Sequence, residues 1–358
     1  INTSPYYTNC VGVVCDPVSV TAPDGTVSTY PDLASAVSKA ADGATIQILD
    51  DMTVSSVISA KKTLTFEGVT KSDGTKPVIS SEGENGLFSQ SGEAVYTLKN
   101  LELRATADGN WYIYHSAGVM TIEDCRFTVA ENVAYTGNVV MSEGAGNAKS
   151  LIFKNNTIQV NSRAALVGMG NGSVITGNTI DLVSEKHNNT TARTSIISLT
   201  AIGGEGAQGV TITGNTFMNA NRGIAVDNSS LSANAIDIKQ NKFINVRFAF
   251  ELDPGEGKNA DCGTYDISRN YYVFDGSVSA PKVQDASSDG DKFIFGDGST
   301  EYAGDQVTTE PYYTAETMRD PYDLNTYTPP IIIPDTTPST GTGSSGSQTE
   351  TVTNPDGS

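Results

Sequence analysis

Short alternations of apolar and polar residues recur along the chain in one arrangement. Two clean copies are residues 174–180 and 211–217, centred on Asn178 and Asn215. In both copies the residue three before the asparagine and the residue two after it are apolar. Because alternate residues of a strand face the same side, this pattern predicts a strand, a tight corner and a second strand.

The same cassette occurs seven times, and its central residues are Leu101, Cys125, Asn156, Asn178, Asn215, Asn241 and Asn270. These central residues are 24, 31, 22, 37, 26 and 29 positions apart. A period in this range, with no helical pattern between the copies, is typical of a solenoid. We expect the five asparagines to form one column at a corner, where asparagine tolerates a left-handed backbone and its amide can bond the next asparagine. We interpret this column as holding the fold together and not as carrying chemistry.

Residues 31–41 carry the one helical stripe, formed by Leu33, Ala36, Val37 and Ala40. Pro31 suits a first helical turn. A solenoid leaves one end of its core open, and an amphipathic helix placed across that end covers it. The predicted fold class is therefore all-β, a single-stranded right-handed parallel β-helix (a solenoid) with an N-terminal capping helix at 31–41.

Composition along the chain predicts four segments. Residues 1–30 are an irregular lead-in, 31–300 the parallel β-helix, 301–328 an irregular C-terminal packing segment, and 329–358 a Pro/Thr/Ser/Gly linker or stalk. The longest cassette spacing predicts a projecting loop at 185–194, and such insertions often carry binding. The stalk predicts that the chain is part of a longer, multi-module surface protein.

The charge balance narrows the expected partners. The formal net charge is −19, so the surface repels nucleic acid and anionic membranes, and neither is an expected partner. No apolar run is long enough to insert in a membrane.

The four cysteines, Cys10, Cys15, Cys125 and Cys262, allow three pairings, and the sequence leaves the pairing open. Cys125 stands at a ladder position, so we expect it to be a buried free thiol.

Two motifs carry a resemblance to a known family. One is the predicted helix followed by Asp42-Gly43-Ala44-Thr45-Ile46, and the other is the Ile-Thr-Gly-Asn-Thr cassette at 175–179 and 212–216. With these motifs, residues 31–275 resemble the pectate-lyase-like right-handed β-helix proteins of bacterial surfaces. The resemblance implies an extracellular protein, attached to the cell wall or cell surface. The fold hosts both enzymes and adhesins, so it does not by itself decide the activity.

The catalytic signatures of that superfamily are missing from this sequence. Its polygalacturonases show Asn-Thr-Asp, a paired Asp-Asp and Gly-His-Gly, and its pectate lyases show Arg-x-Pro-x-x-Arg. Here the two histidines, His115 and His187, do not lie between glycines, and the one Asp pair precedes the cassettes at 50–51. These departures favour a binding module over an enzyme.

Three arginines follow ladder positions and are candidate ligand-binding residues. Arg163 and Arg222 lie seven residues after Asn156 and Asn215, and Arg247 lies six after Asn241. A partly aligned row of guanidinium groups would bind the carboxylates or sulfates of an acidic polysaccharide. The alternative is that each arginine pairs with an acidic side chain of this chain, such as Asp227, Glu251 or Asp253.

Aromatic residues supply the second candidate binding surface. Trp111, Tyr112 and Tyr114 lie in one short segment that holds the chain's single tryptophan. Aromatic rings on a flat β-face stack on sugar rings. Strict alternation would place Trp111, Ile113 and His115 on one face and the two tyrosines on the other, so one set belongs to the core.

The candidate metal ligands are Asp289, Asp291 and Asp297, which lie in Asp-Gly turns. Their carboxylates would suit Ca²⁺, and Ca²⁺ is the only cofactor that the sequence suggests. The alternative is that Asp-Gly is ordinary turn chemistry.

We therefore expect a secreted or cell-surface β-helix module for adhesion or polysaccharide binding, without catalysis, whose partner is a polysaccharide or a host or cell-surface glycan. The alternative is a polysaccharide lyase or glycoside hydrolase acting on acidic polysaccharide near Arg222, Arg247 and Glu251. A third hypothesis is a trimeric receptor binder of the phage tailspike kind.

Overall fold

A computed structural model describes residues 16–84, 86–90, 92–142, 148–170, 172–183, 194–199, 209–227, 236–253, 264–266, 270–273, 282–285, 292–295, 300–303 and 318–319. These residues form one helix, α1 (Leu33–Lys39), and thirty strands. The strands are β1 (Val18–Thr21), β2 (Val27–Tyr30), β3 (Ala44–Ile48), β4 (Met52–Val54), β5 (Ile58–Ala60), β6 (Leu64–Gly68), β7 (Val78–Ser81), β8 (Phe88–Gln90), β9 (Val95–Lys99), β10 (Glu102–Ala105), β11 (Trp111–His115), β12 (Gly118–Glu123), β13 (Arg126–Val129), β14 (Asn138–Ser142), β15 (Ala148–Lys154), β16 (Thr157–Gln159), β17 (Ala164–Val167), β18 (Val174–Thr176), β19 (Thr179–Asp181), β20 (Ser195–Ser198), β21 (Val210–Thr213), β22 (Thr216–Asp227), β23 (Ile236–Lys239), β24 (Lys242–Asp253), β25 (Thr264–Asp266), β26 (Tyr271–Val273), β27 (Lys282–Asp285), β28 (Lys292–Phe295), β29 (Thr300–Ala303) and β30 (Met318–Arg319).

The strands wind as a coil in which each turn, or rung, crosses three sheet positions. One rung is β9, β10 and β11, and the chain then enters β12, which pairs in parallel with β9. The first position builds a ten-stranded sheet, β2-β1-β3-β6-β9-β12-β15-β18-β21-β23. The other two positions build a seventeen-stranded sheet whose two branches merge in the twelve-residue strands β22 and β24. This topology confirms the predicted all-β parallel solenoid.

The core lies inside the coil and consists of the cassette positions predicted to be apolar. The residues three before and two after the six centres from Leu101 to Asn241 are buried: Leu98, Ile122, Phe153, Ile175, Ile212 and Ile238, and Leu103, Phe127, Ile158, Ile180, Phe217 and Phe243. Like side chains stack along the axis, and the rings of Phe217 and Phe243, which pair between β22 and β24, lie 5.3 Å apart. Each fully buried side chain of this kind contributes about 1.5–3 kcal/mol relative to exposure.

The asparagine column is present, and its bonds repeat from rung to rung. The Asn178 Oδ1 accepts the Asn156 backbone N–H at 2.8 Å, and the Asn178 amide donates to the Phe153 carbonyl at 2.9 Å. The Asn178 amide also donates to Oδ1 of Asn215 at 2.8 Å. Asn241 and Asn270 continue the same pattern, and all five asparagines are buried. The column therefore satisfies the buried backbone groups of the corner.

The expectation that the ladder asparagine itself is left-handed is wrong. For the six centres from Leu101 to Asn241 the left-handed residue is the one before the centre, with φ between 53° and 67°: Asn100, Asp124, Asn155, Gly177, Gly214 and Gln240. The turn is made one residue early because the central side chain must point inward to reach the next rung.

Helix α1 forms as predicted, although it starts after Pro31. Asp32 is its N-cap, and the Asp32 carboxylate accepts the Ser35 backbone N–H at 2.7 Å. At the other end Lys62 donates to the carbonyl oxygens of Val37, Ser38 and Ala40. Leu33, Ala36 and Val37 are buried in the solenoid core. No helix among the described residues is long and apolar enough to cross a membrane.

The description of the lead-in as irregular is wrong for residues 18–30. Strands β1 and β2 form an antiparallel hairpin, and β1 adds antiparallel to β3 at the start of the ten-stranded sheet. The hairpin turn has Gly25 at φ 84°, and the Asp24 carboxylate accepts the Thr26 N–H.

The remaining organisational predictions fall partly outside the described residues. Cys125 is buried and free, as predicted. The described residues do not include Cys10, Cys15, Cys262, most of the 185–194 loop or the 329–358 stalk. Strand β29 pairs with β28 and strand β30 pairs with β26 in the segment expected to be irregular, so that description is wrong for residues 301–303 and 318–319.

Candidate functional site

Strand β11 bends, and the bend gathers two aromatic rings on the outer surface. Tyr112 and Ile113 are both buried, while Trp111 and Tyr114 are partly exposed. Strict alternation is therefore wrong here, because two successive residues point inward. The rings of Trp111 and Tyr114 lie 5.4 Å apart, at 35° to each other. We call these two residues the aromatic platform.

Tyr112, the third aromatic candidate, belongs to the core. Its hydroxyl donates to the Thr128 carbonyl at 2.6 Å, and its ring meets that of Tyr135 edge-on at 4.9 Å. Burial raises the pKa of Tyr112 well above its ordinary value. Only Trp111 and Tyr114 of the three therefore reach the surface.

A glycine one rung earlier supports the indole of Trp111. A Cβ built on Gly86 would lie 2.0 Å from Cζ3 and 2.1 Å from Cε3 of Trp111. The indole therefore lies against the Gly86 backbone with no room for a side chain between them. Beside it is a shallow surface pocket that is open to solvent and lined by Leu87, Ala105 and Tyr135 among others.

His115, on the same strand, is not placed to act as a base. It is fully buried, and its two ring nitrogens lie 3.0 Å from the Ser142 hydroxyl and 3.0 Å from the Gly118 carbonyl oxygen. Burial lowers the pKa of His115 below its ordinary value, which favours the neutral ring. The residue fills a polar position inside the coil.

The strand register separates the candidate arginines. Arg222 pairs across β20 and β22 with Ser195, which pairs with Ala164. Arg163 precedes Ala164, so it lies one position out of the Arg222 column, and Arg247 is displaced in the same way because Phe248 pairs with Arg222. The expected partly aligned row is therefore wrong for Arg222, because a shift of one residue turns a side chain to the other side of a strand. Arg163 and Arg247 share the column beside it.

Arg222 forms a buried ion pair with Glu251. The guanidinium Nη1 lies 2.7 Å from Oε1 of Glu251, and the two side chains are only 6% and 5% exposed. The sequence alternative of internal pairing is thus confirmed for this arginine. Strand pairing over successive rungs places Arg222 in the same column as Trp111. It places Glu251 in the same column as Tyr114.

Comparison with known families assigns the fold. The model of the right-handed beta helix region matches residues 85–270, just over half of the 358 residues. The chain belongs to this right-handed beta helix family. Searches of curated proteins and of solved structures found no significant match. Membership of the family confirms the fold that the sequence predicted and leaves the activity to be argued from the site.

Several predicted site residues of this right-handed β-helix stay untested. The side chain of Arg247 and the whole of Asp289, Asp291 and Asp297 lie outside the described residues. Arg163 is exposed, so it stays available as a binding residue. Within the described ranges no group of three or more acidic, histidine or cysteine side chains is arranged to hold a metal ion.

Substitution of Gly86 by alanine is expected to displace the indole of Trp111. The new methyl group would occupy space that the ring now fills, and the Trp111 carbonyl oxygen, only 2.7 Å from the same point, blocks an easy shift of the backbone. Trp111 is the only tryptophan, so the emission maximum should move to longer wavelength while the far-ultraviolet circular dichroism stays unchanged. Ser56→Ala, at an exposed position, is the control, and equal spectra for both variants would contradict the geometry.

Proposed function

We propose that this β-helix is a secreted or cell-surface module that binds polysaccharide through the aromatic platform, without cleaving it. The observation that carries the proposal is the tilted Trp111–Tyr114 pair on the outer surface, fixed from below by Gly86. Partly exposed aromatic rings on a rigid scaffold present a large amphipathic area at low entropic cost, which suits the flat apolar faces of sugar rings.

The shape of the solenoid supports a polymeric ligand. Successive rungs lie about 4.8 Å apart, and the columns that begin at Trp111 and Tyr114 stay partly exposed on the following rung before they become buried further along the axis. Next to these residues on the following rung are Asn138 and Met141, both partly exposed. A chain of sugars can thus contact the platform and continue along neighbouring rungs.

The alternative of a lyase or hydrolase has weaker support. An enzyme of this kind needs a base or acid that is free to meet the substrate. Glu251 is engaged by Arg222 in a buried pair, and both nitrogens of His115 are engaged inside the coil. Adhesion at a cell wall or cell surface remains part of the proposal, and the predicted stalk is its support.

Substitution of Trp111 by alanine is expected to weaken polysaccharide binding at least about tenfold, because truncation of a central aromatic anchor typically costs 2 kcal/mol or more. The measurement is affinity electrophoresis in gels that contain a panel of soluble plant, bacterial and animal polysaccharides. Tyr30→Ala, on the N-terminal hairpin, is the matched control and should migrate like the wild type. Equal retardation of Trp111→Ala and wild type in every gel would reject the platform as the binding site.

A further inference from the structure

The aromatic platform is bordered by carboxylates and not by cations. Glu84 lines the same pocket as Trp111, and it is exposed. Asp108, three residues before Trp111, is exposed as well. None of the residues that line the pocket is basic. Arg104, on the neighbouring strand β10, has its guanidinium 2.5 Å from the Glu102 carboxylate.

The backbone holds both carboxylate-bearing residues beside the platform. Glu84 lies two residues before Gly86, and its carbonyl oxygen is only 2.6 Å from the position of a Cβ on Gly109. Asp108 accepts the Thr136 backbone N–H at 2.7 Å and the Gly109 backbone N–H at 3.0 Å. The bond from the Thr136 amide lowers the pKa of Asp108, so its carboxylate stays charged through the neutral range and below it.

We infer that the platform selects sugar units without a negative charge, either neutral or amino-bearing, and disfavours uronic acids and sulfated sugars. This inference rests on the proposed function, and it differs from the acidic polysaccharide expected from the arginines. The register removes Arg222 from the row of arginines on which that expectation rested, and Arg222 is already neutralised by Glu251. A uronate stacked on Trp111 would instead bring its carboxylate close to those of Glu84 and Asp108, and like charges in close proximity disfavour binding.

Titration calorimetry with oligosaccharides of equal length tests the inference. Panels of neutral hexose, N-acetylglucosamine, glucosamine and galacturonate oligomers are compared at low and at physiological salt. One pair of like charges at 4 Å in water corresponds to about a fivefold change in affinity. The best neutral or amino oligomer should therefore bind at least about fivefold tighter than galacturonate at low salt, with a smaller ratio at higher salt.

A matched pair of charge-removing variants locates the effect. Glu84→Gln should reduce the discrimination against galacturonate, whereas Glu123→Gln, which removes the same charge from the ten-stranded sheet, should leave it unchanged. Galacturonate that binds as tightly as the neutral oligomers, or tighter, would overturn the inference and leave glycan binding intact. The absence of binding to every panel would reject the proposed function, and the inference with it.

Discussion

Asn178→Ala is expected to lower the free energy of unfolding by about 3 kcal/mol or more. The substitution removes an amide that accepts from the Asn156 backbone at 2.8 Å and donates to the Phe153 carbonyl at 2.9 Å and to Asn215 Oδ1 at 2.8 Å. These partners are buried between rungs, and each one left without a hydrogen bond costs about 1–3 kcal/mol. Because the column connects neighbouring rungs, the loss would also weaken the interface between them.

Urea unfolding followed by circular dichroism measures this effect. The control is Thr157→Ala, at an exposed position beside the ladder residue Asn156, which should change stability by less than about 0.5 kcal/mol. A loss below about 1 kcal/mol for Asn178→Ala would show that the column contributes little and that the apolar stacks alone hold the rungs in register.

Arg222→Ala and Glu251→Ala are each expected to destabilise the protein by about 3–5 kcal/mol, because each breaks a buried ion pair by removing one of its two charges. Arg222 Nη1 and Glu251 Oε1 lie 2.7 Å apart, and the two side chains are only 6% and 5% exposed. At this burial the cost of removing a charge from water is the largest contribution to the loss of stability. The double replacement Arg222→Met/Glu251→Leu should lose less than either single variant, since it removes both charges and keeps most of the side-chain volume.

Addition of the double variant Arg222→Ala/Glu251→Ala completes a double-mutant cycle with the two single alanine variants, and thermal and urea unfolding then measure the coupling energy of the pair. Arg163→Ala removes the same charge from an exposed position and should alter stability by less than about 0.5 kcal/mol. Additive losses for the two single variants would contradict the ion pair. Loss of a polysaccharide-cleaving activity in the conservative variant Glu251→Gln, with stability retained, would instead support the enzyme alternative.

The sequence predicted the coil because its signal repeats. Each cassette contributes the same two apolar positions, and the five asparagines recur at one place in every later rung. A single cassette is too short to predict a fold, but the same pattern in seven cassettes predicts the coil. The identity of the left-handed residue was missed although it was visible: Gly177 and Gly214 directly precede two of the asparagines. Glycine is the residue expected to adopt that conformation most readily.

The site was less predictable because it depends on register and on a bend. The rung of Asn156 takes eight residues to reach the column of Arg222, at Ala164, whereas the rung of Asn215 takes seven. Spacing from the ladder therefore did not show that Arg222 lies one position away from the column of Arg163. The support of Trp111 by Gly86 was also missed, although a glycine one rung before the only tryptophan could have suggested a close approach of the ring to the backbone.

Fluorescence of the single tryptophan during titration with polysaccharide tests the central claim most directly, if product release is assayed in the same samples. The account predicts a saturable change in Trp111 emission with no release of reducing ends or unsaturated products, and loss of saturation in Tyr114→Ala. Cleavage of a polysaccharide, or binding that leaves Trp111 emission unchanged, would contradict it.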